Sequence, residues 1–326
     1  MRYSNVYSKI GEKMVDLNLK LPDNFLKEEV RCDYTISHKM KELWAVELDL
    51  LMELDRVCRK YDITYTIDGG SILGAVRHGG FIPWDDDIDI AMLRSEYERL
   101  NEVAPREFKA PYFWQTEETD PGSMRGHAQL RNSNTTAILA SEQDRNMQFN
   151  QGIFVDIFPF DNISDDQNEV IEQYNNVVRY KNKALRDADI TVRYSYEKLK
   201  KYSSFKHRLK MTVLHIWAKT FQKDLNYKDA YQAFVNECKK FNGEKTKRVA
   251  DYVIPLSAER NARTKESFTN IKKMKFEFLE LPVPQNYDEI LSTVYGDDYM
   301  TFKKGGSSHG GLIFDTNKSY KEYKKQ

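Results

Sequence analysis

The stretch 65-YTIDGGSILGAVRHGGFIPWDDDIDIA-91 decides how this chain is read. Asp62 to Asp68 alternates β-branched and aromatic residues, the pattern of a strand. Gly69-Gly70 ends it, Ser71 to Arg77 suits a short helix, and His78-Gly79-Gly80 breaks that helix. Asp87 to Met92 alternates aspartate with apolar residues, the period of a half-buried strand. On such a strand Asp87 and Asp89 point to one side, with Asp85 in the same parity. Carboxylates side by side resist joint ionisation, and a divalent cation removes the conflict. Mg²⁺, with Mn²⁺ as a substitute, prefers carboxylate oxygens together with substrate phosphates. Ile82, Pro83, Trp84 and Ile90 frame the aspartates with apolar surface, which argues against a merely solvated acidic turn.

A strand, a glycine pair and a serine opening a helix offer backbone N–H groups to an anion. Gly70 and Ser71 are therefore candidate phosphate ligands, and Asp68 joins the site at the strand end. Arg77, His78 and Arg131 are candidates for positive charge near those phosphates. Farther along, Gly152 to Phe160 (GIFVDIFPF) is the most apolar strand signal, and it carries one charge, Asp156. A carboxylate there needs a partner or a metal. Asp156 is therefore the third candidate ligand and catalytic residue beside Asp87 and Asp89. His309, in a loop bracketed by Gly305-Gly306 and Gly310-Gly311, is a candidate acid, base or phosphate ligand.

The rest of the chain is read around this stretch. Ser37 to Lys60 places apolar residues at helical steps, an amphipathic scaffold helix capped by Thr35 or Ser37. Arg94 to Val103 is helical; Tyr112–Gln115, His127–Arg131 and Thr135–Leu139 are short strands. Asp165 to about Asn242 is charged, helix-patterned and free of glycine. Asp251–Pro255 and Lys275–Leu281 suit strands, and Tyr287–Val294 a helix. The expected organisation is an N-terminal extension (1–34), a catalytic core (35–164), a helical insertion (165–248) and a C-terminal segment (249–326) that returns to the core with the His309 loop.

With 326 residues, 40% of them apolar, the chain can bury a substantial core. Lys+Arg and Asp+Glu balance at 50 each, which argues against a general nucleic-acid binder while allowing local patches of one sign. Three scattered cysteines, Cys32, Cys58 and Cys238, suit thiols in a reducing compartment rather than a disulfide framework. The N-terminal segment has no apolar signal-like core, and no run approaches a membrane span. The expected location is cytoplasmic, or peripheral at the inner face of the cell membrane. Residues 205–223 (FKHRLKMTVLHIWAKTFQK) mix apolar and basic side chains in a way that allows such contact.

The pattern of Gly69-Gly70-Ser71, Asp87 and Asp89 with the later Asp156 strand resembles the nucleotidyltransferase superfamily. More closely, DGGSILGAVRHGGFIPWDDDIDIA resembles the signature of the LicD family, which includes the fukutin-related proteins. Asn134-Thr135-Thr136, GIFVDIFPFD and LPVPQNYDEILSTVYGDDYM match later blocks of that family. The resemblance covers residues 37–162 and 275–310. It implies an α+β fold with a nucleotidyltransferase-like core, a mixed sheet flanked by helices and a helical insertion. It also implies transfer of a phospho-alcohol, phosphocholine foremost, from a CDP-linked donor to a sugar hydroxyl of a surface glycan or its lipid-linked precursor, releasing CMP. Where many members carry paired histidines, this chain has Ser307-Ser308-His309. If choline is the cargo, Trp84 is a candidate for its ammonium group. The alternatives are a nucleotidyltransferase that releases pyrophosphate, and a non-catalytic binder of nucleotide or glycan.

Overall fold

The structure is a computed structural model describing residues 14–143, 147–194, 196, 199–200, 204–221, 226–253, 260, 262–306 and 311–323. The expected His309 loop, residues 307–310, lies outside the described residues. A hairpin of β1 (Glu29–Arg31) and β2 (Tyr34–Ile36) leads into helix α1 (His38–Lys60). The Ser37 side chain caps α1 by accepting the Met40 N–H, and Arg59 and Lys60 oppose the dipole at its far end. The deciding stretch then folds as β3 (Thr66–Ile67), α2 (Gly69–His78) and β4 (Asp89–Leu93). Helix α3 (Arg94–Glu107), β5 (Tyr112–Gln115), β6 (Ala128–Asn132) and β7 (Thr136–Ile138) follow, and then the long apolar β8 (Ile153–Asn162).

Among the described residues the main sheet has seven strands and is mixed. Strand β4 runs parallel to β8 and antiparallel to β3, while β6 pairs antiparallel with β8 and with β5. The far end of β8 pairs with β9 (Arg248–Ala250), which pairs with β10 (Ala262–Thr264). This is an α+β architecture. Alternation along β4 and β8 divides the interior into two cores. Ile88, Ile90, Met92, Val155 and Ile157 pack with Leu43, Trp44, Leu51 and Leu54 of α1. Ala91, Phe158 and Phe160 pack with Val170 and Val177 of α4 (Gln167–Thr191) and with Phe234 and Cys238. The last two belong to α6 (Tyr227–Cys238), which follows α5 (Phe205–Phe221). The helices after β8 therefore cover one face of the sheet and share its core.

The C-terminal part differs in detail from the sequence reading. A strand sits at Arg248–Ala250, and in 251–253 the Asp251 side chain accepts the Val253 N–H and turns the chain, while 254–255 of the expected strand lie outside the described residues. The expected 275–281 strand is the turn of a hairpin, β11 (Ile271–Phe276) with β12 (Leu279–Pro284), reversed at Glu277 with φ +55°. Helix α7 (Tyr287–Tyr295), strand β13 (Ile313–Asp315), which pairs with β7, and helix α8 (Tyr320–Tyr323) complete the chain. No helix among the described residues is long and apolar enough to cross a membrane.

Candidate active site

The parallel register sets Asp89 directly beside Asp156. Carboxylate oxygens of Asp87, Asp89 and Asp156 lie within 4.8 Å of one another, and so do those of Asp85, Asp86 and Asp87. The two groups share Asp87. The expected strand from Asp87 begins at Asp89, so the β4–β8 register and the irregular segment just before β4 together gather residues almost seventy positions apart.

The electrostatics of the neighbours diverge. Burial would raise the Asp156 pKa, yet it is lowered, because His127, the Arg125 charge and Gln129 outweigh burial. His127 Nε2 donates to Asp156 Oδ1 at 2.8 Å and Gln129 Nε2 donates to the same oxygen at 2.5 Å. Asp89 is pushed well above the usual carboxylate range by burial and by Asp87, Asp156, Asp68 and Asp85. Glu47 of α1, 1% exposed, is likewise raised by burial and by Asp87, Asp86, Asp85 and Asp156. Its Oε2 is buried with no hydrogen-bond partner. A buried carboxyl oxygen without a donor, beside four aspartates that oppose its ionisation, leaves acceptor oxygens that a divalent cation would satisfy. The donor set is all oxygen, which suits a hard cation.

The N-terminus of α2 meets this cluster. Asp68 is its N-cap, accepting the Gly69 N–H at 2.8 Å. Gly69 has φ +49°, and a Cβ there would stand 3.0 Å from Asp89 Oδ2. A Cβ on Gly70 would stand 2.9 Å from Asp85 Oδ2. The glycine pair is what allows the carboxylates this close to the helix end. Ser71 is buried, and its Oγ accepts the Asp89 N–H at 3.0 Å, so its hydroxyl fixes the aspartate strand. Its backbone N–H, with that of Gly70, is the part oriented for an anion.

Other sequence candidates fall elsewhere. Arg131 is fully buried, donating to Gln115 Oε1 and to Gly152 O, both at 2.6 Å, and to Gln129. It shares Gln129 with Asp156 as a hydrogen-bond partner, and burial lowers its pKa to about 9 although the Asp156 charge opposes the shift. Arg77 and His78 stand at the other end of α2, about 10–12 Å along the axis from Gly70 at 1.5 Å per residue. There Arg77 donates to Tyr299 O at 2.8 Å and to His78 Nε2 at 2.9 Å. Trp84 is buried between Tyr34 and Phe302, with ring centroids at 5.8 and 5.5 Å. A Cβ on Gly305 would stand 3.1 Å from Trp84 Nε1, which ties the start of the glycine loop to the aspartate segment.

Sequence reasoning missed Glu47, His127, Arg263 and Tyr295. Arg263 of β10 donates from Nη2 to Asp68 Oδ1 at 2.5 Å, while its buried Nε and Nη1 have no partner. It is a cation with spare donors beside the α2 N-terminus. The Tyr295 hydroxyl is raised by burial and by the charges of Asp89, Asp68, Asp85 and Asp87. Only His127 left a readable signal, sharing parity with Gln129 and Arg131 on a strand candidate.

Comparison with known proteins agrees with this geometry. The LicD/FKTN/FKRP nucleotidyltransferase domain matches residues 62–186, which include β3, α2, β4 and β8. The chain is 27% identical over 268 residues to the lipopolysaccharide cholinephosphotransferase LicD of Haemophilus influenzae, covering 80% of this chain and 91% of that protein. It is 36% identical over 77 residues to the human ribitol 5-phosphate transferase FKRP, covering 20% of this chain and 16% of that protein. A match of 39% identity over 82 residues, 25% of this chain and 29% of the other, is to the uncharacterized protein RP689 of Rickettsia prowazekii. Residues 62–186, which hold the strand–glycine–helix–aspartate unit around Asp87, Asp89 and Asp156, thus form a nucleotidyltransferase domain of the LicD/FKTN/FKRP type.

Proposed function

We propose that this chain transfers a phospho-alcohol, phosphocholine foremost, from a CDP-linked donor to a sugar hydroxyl of a glycan or a lipid-linked glycan precursor, releasing CMP. The single observation that carries the reading is the three-carboxylate group of Asp87, Asp89 and Asp156 set against a glycine-opened helix N-terminus. The two named relatives, a cholinephosphotransferase and a ribitol 5-phosphate transferase, support the class of reaction.

Asp87, Asp89 and Asp156 are proposed to hold Mg²⁺, with Mn²⁺ as a substitute. The cation, when bound, neutralises charge on the donor diphosphate. His127 and Gln129 keep Asp156 anionic and oriented by donating to one of its oxygens. Gly70 and Ser71 offer backbone N–H groups to a phosphate, while the Ser71 hydroxyl holds Asp89 in register. Arg263 is proposed to turn its unpartnered donors to phosphate oxygens, with Asp68 fixing its guanidinium. Tyr295 and Phe302, 40% and 38% exposed, are the aromatic surfaces proposed for a quaternary ammonium.

The test is a screen of CDP-choline, CDP-ribitol and other CDP-alcohols with Mg²⁺ and candidate glycans. Asp87→Asn and Asp89→Asn are each expected to abolish CMP release with the fold intact. Pyrophosphate as the product from a nucleoside triphosphate would assign the site to nucleotidyl transfer. Metal-dependent binding of donor without turnover would make the chain a binding relative.

A further inference from the structure

Helix α5 lies on the outside of the helical layer. Its inner face meets α4 and the segment after it. Ala218 is buried, His215 Nδ1 donates to Ile190 O at 2.9 Å, and the His215 ring stacks on Tyr194 at 4.0 Å. The Tyr194 and Thr212 hydroxyls share a hydrogen bond of 3.0 Å. The outer face is different in kind. Phe205, Leu209, Val213, Ile216, Trp217 and Phe221 are each between 45% and 70% exposed. Their spacing follows one side of a helix for its whole length. Six large apolar side chains in one exposed stripe are more than scattered surface hydrophobics, and such a patch marks an interaction site.

Charge says what covers it. The 17 residues of α5 contain Lys206, Arg208, Lys210 and Lys219 and no Asp or Glu. The whole chain is balanced at 50 positive and 50 negative residues, so this local excess is not a general property of the surface. By helical angle, Lys206 and Lys210 stand within the stripe, between Val213, Trp217 and Phe221, and Arg208 and Lys219 lie just beyond its Phe205 edge. Long cationic stems beside an apolar stripe can bury their methylenes and keep their heads at a polar boundary. An apolar stripe with cations set into it and along one edge fits the interface of an anionic bilayer, apolar at depth and negative at the surface.

We propose that α5 docks this protein on an anionic membrane, lying in the headgroup plane with Leu209, Val213, Ile216 and Trp217 inserted. The proposal stands apart from the chemistry assigned to the acidic site, whose residues lie on other elements. It would hold the enzyme beside acceptors carried on lipid.

The test uses the full chain and vesicles of phosphatidylcholine with or without phosphatidylglycerol. Binding is expected on the phosphatidylglycerol vesicles and to weaken with salt. Lys206→Gln with Lys210→Gln is expected to weaken it by about 25-fold, about fivefold per lysine. Val213→Ser with Ile216→Ser is expected to weaken it by about tenfold or more. CMP release from a soluble donor and acceptor, measured in parallel without lipid, is expected to stay unchanged in both variants. Absence of vesicle binding, or binding that neither variant weakens, overturns the proposal. So does self-association in lipid-free solution that Val213→Ser with Ile216→Ser abolishes, which would give the stripe to a second copy of the chain.

Discussion

Glu47 holds a carboxyl in the interior where Asp87, Asp86, Asp85 and Asp156 all oppose its ionisation. Without a cation it keeps its proton, because an isolated buried charge is far costlier than a neutral carboxyl. Glutamine copies the neutral shape. Glu47→Gln is therefore expected to leave the metal-free melting temperature unchanged or slightly raised, and to shrink the rise produced by Mg²⁺ or Mn²⁺. Calorimetry with and without metal reads both; a metal-free loss above about 1 kcal/mol, the worth of a typical hydrogen bond, would mean the carboxyl has a structural partner. His78 supplies a pH dependence of known sign. Burial and the charges of Arg77 and Arg31 lower its pKa from 6.5 to about 4. Between those values the unfolded chain binds a proton that the folded chain refuses. The His78 contribution is thus full above about pH 6.5 and is lost as pH falls toward 4. His78→Gln is expected to flatten that part of the stability curve in melting scans between pH 4 and 8. An unchanged slope would assign the acid limb to carboxylates instead.

At the scale of elements, α2 shows two glycines with different duties. A Cβ on Gly70 would meet the mobile end of Asp85, whereas one on Gly74 would stand 2.4 Å from the backbone oxygen of Gly80. Gly70→Ala is expected to keep stability within about 1 kcal/mol, since helix propensity offsets the displaced carboxylate. Activity should fall, because that carboxylate and the phosphate-facing backbone share the space. Gly74→Ala is expected to destabilise by about 1–3 kcal/mol through overpacking against backbone. Urea titration beside CMP-release assays separates the two; equal stability losses would contradict this division. The same element explains what the sequence could tell. Turn glycines, a period-2 run and an apolar strand with one aspartate are local signals, so α2, β4, β8 and their aspartates were legible. Arg263 and Glu47 were not. Their parts depend on β10 pairing with β9, which in turn pairs with β8, and on where α1 crosses the sheet, and neither has a local signature. Arg131 was readable as a strand residue, but its burial under Gln129 follows from pairing of β6 between β5 and β8.

Across the whole molecule, the helical layer reaches the site through packing. The Phe234 ring of α6 lies on the backbone of Gly126, where a Cβ would stand 2.7 Å from its edge. Gly126 has φ +88° and precedes His127, whose ring packs on Phe158 at 4.4 Å and whose Nε2 donates to Asp156. A side chain in the second core thus limits where the partner of a candidate ligand can stand. Replacing a buried phenylalanine by alanine removes its transfer energy and leaves a cavity, about 3–5 kcal/mol in all. Phe234→Ala is expected to show that loss in denaturant unfolding. It is also expected to lower turnover several-fold at temperatures where the protein remains fully folded, because Gly126 and His127 can relax toward the cavity. Phe268→Ala, in the same core but away from Gly126, is expected to cost comparable stability and spare turnover. If both variants kept wild-type turnover while folded, the helical layer would be scaffold alone, and the position of His127 would be set by the sheet.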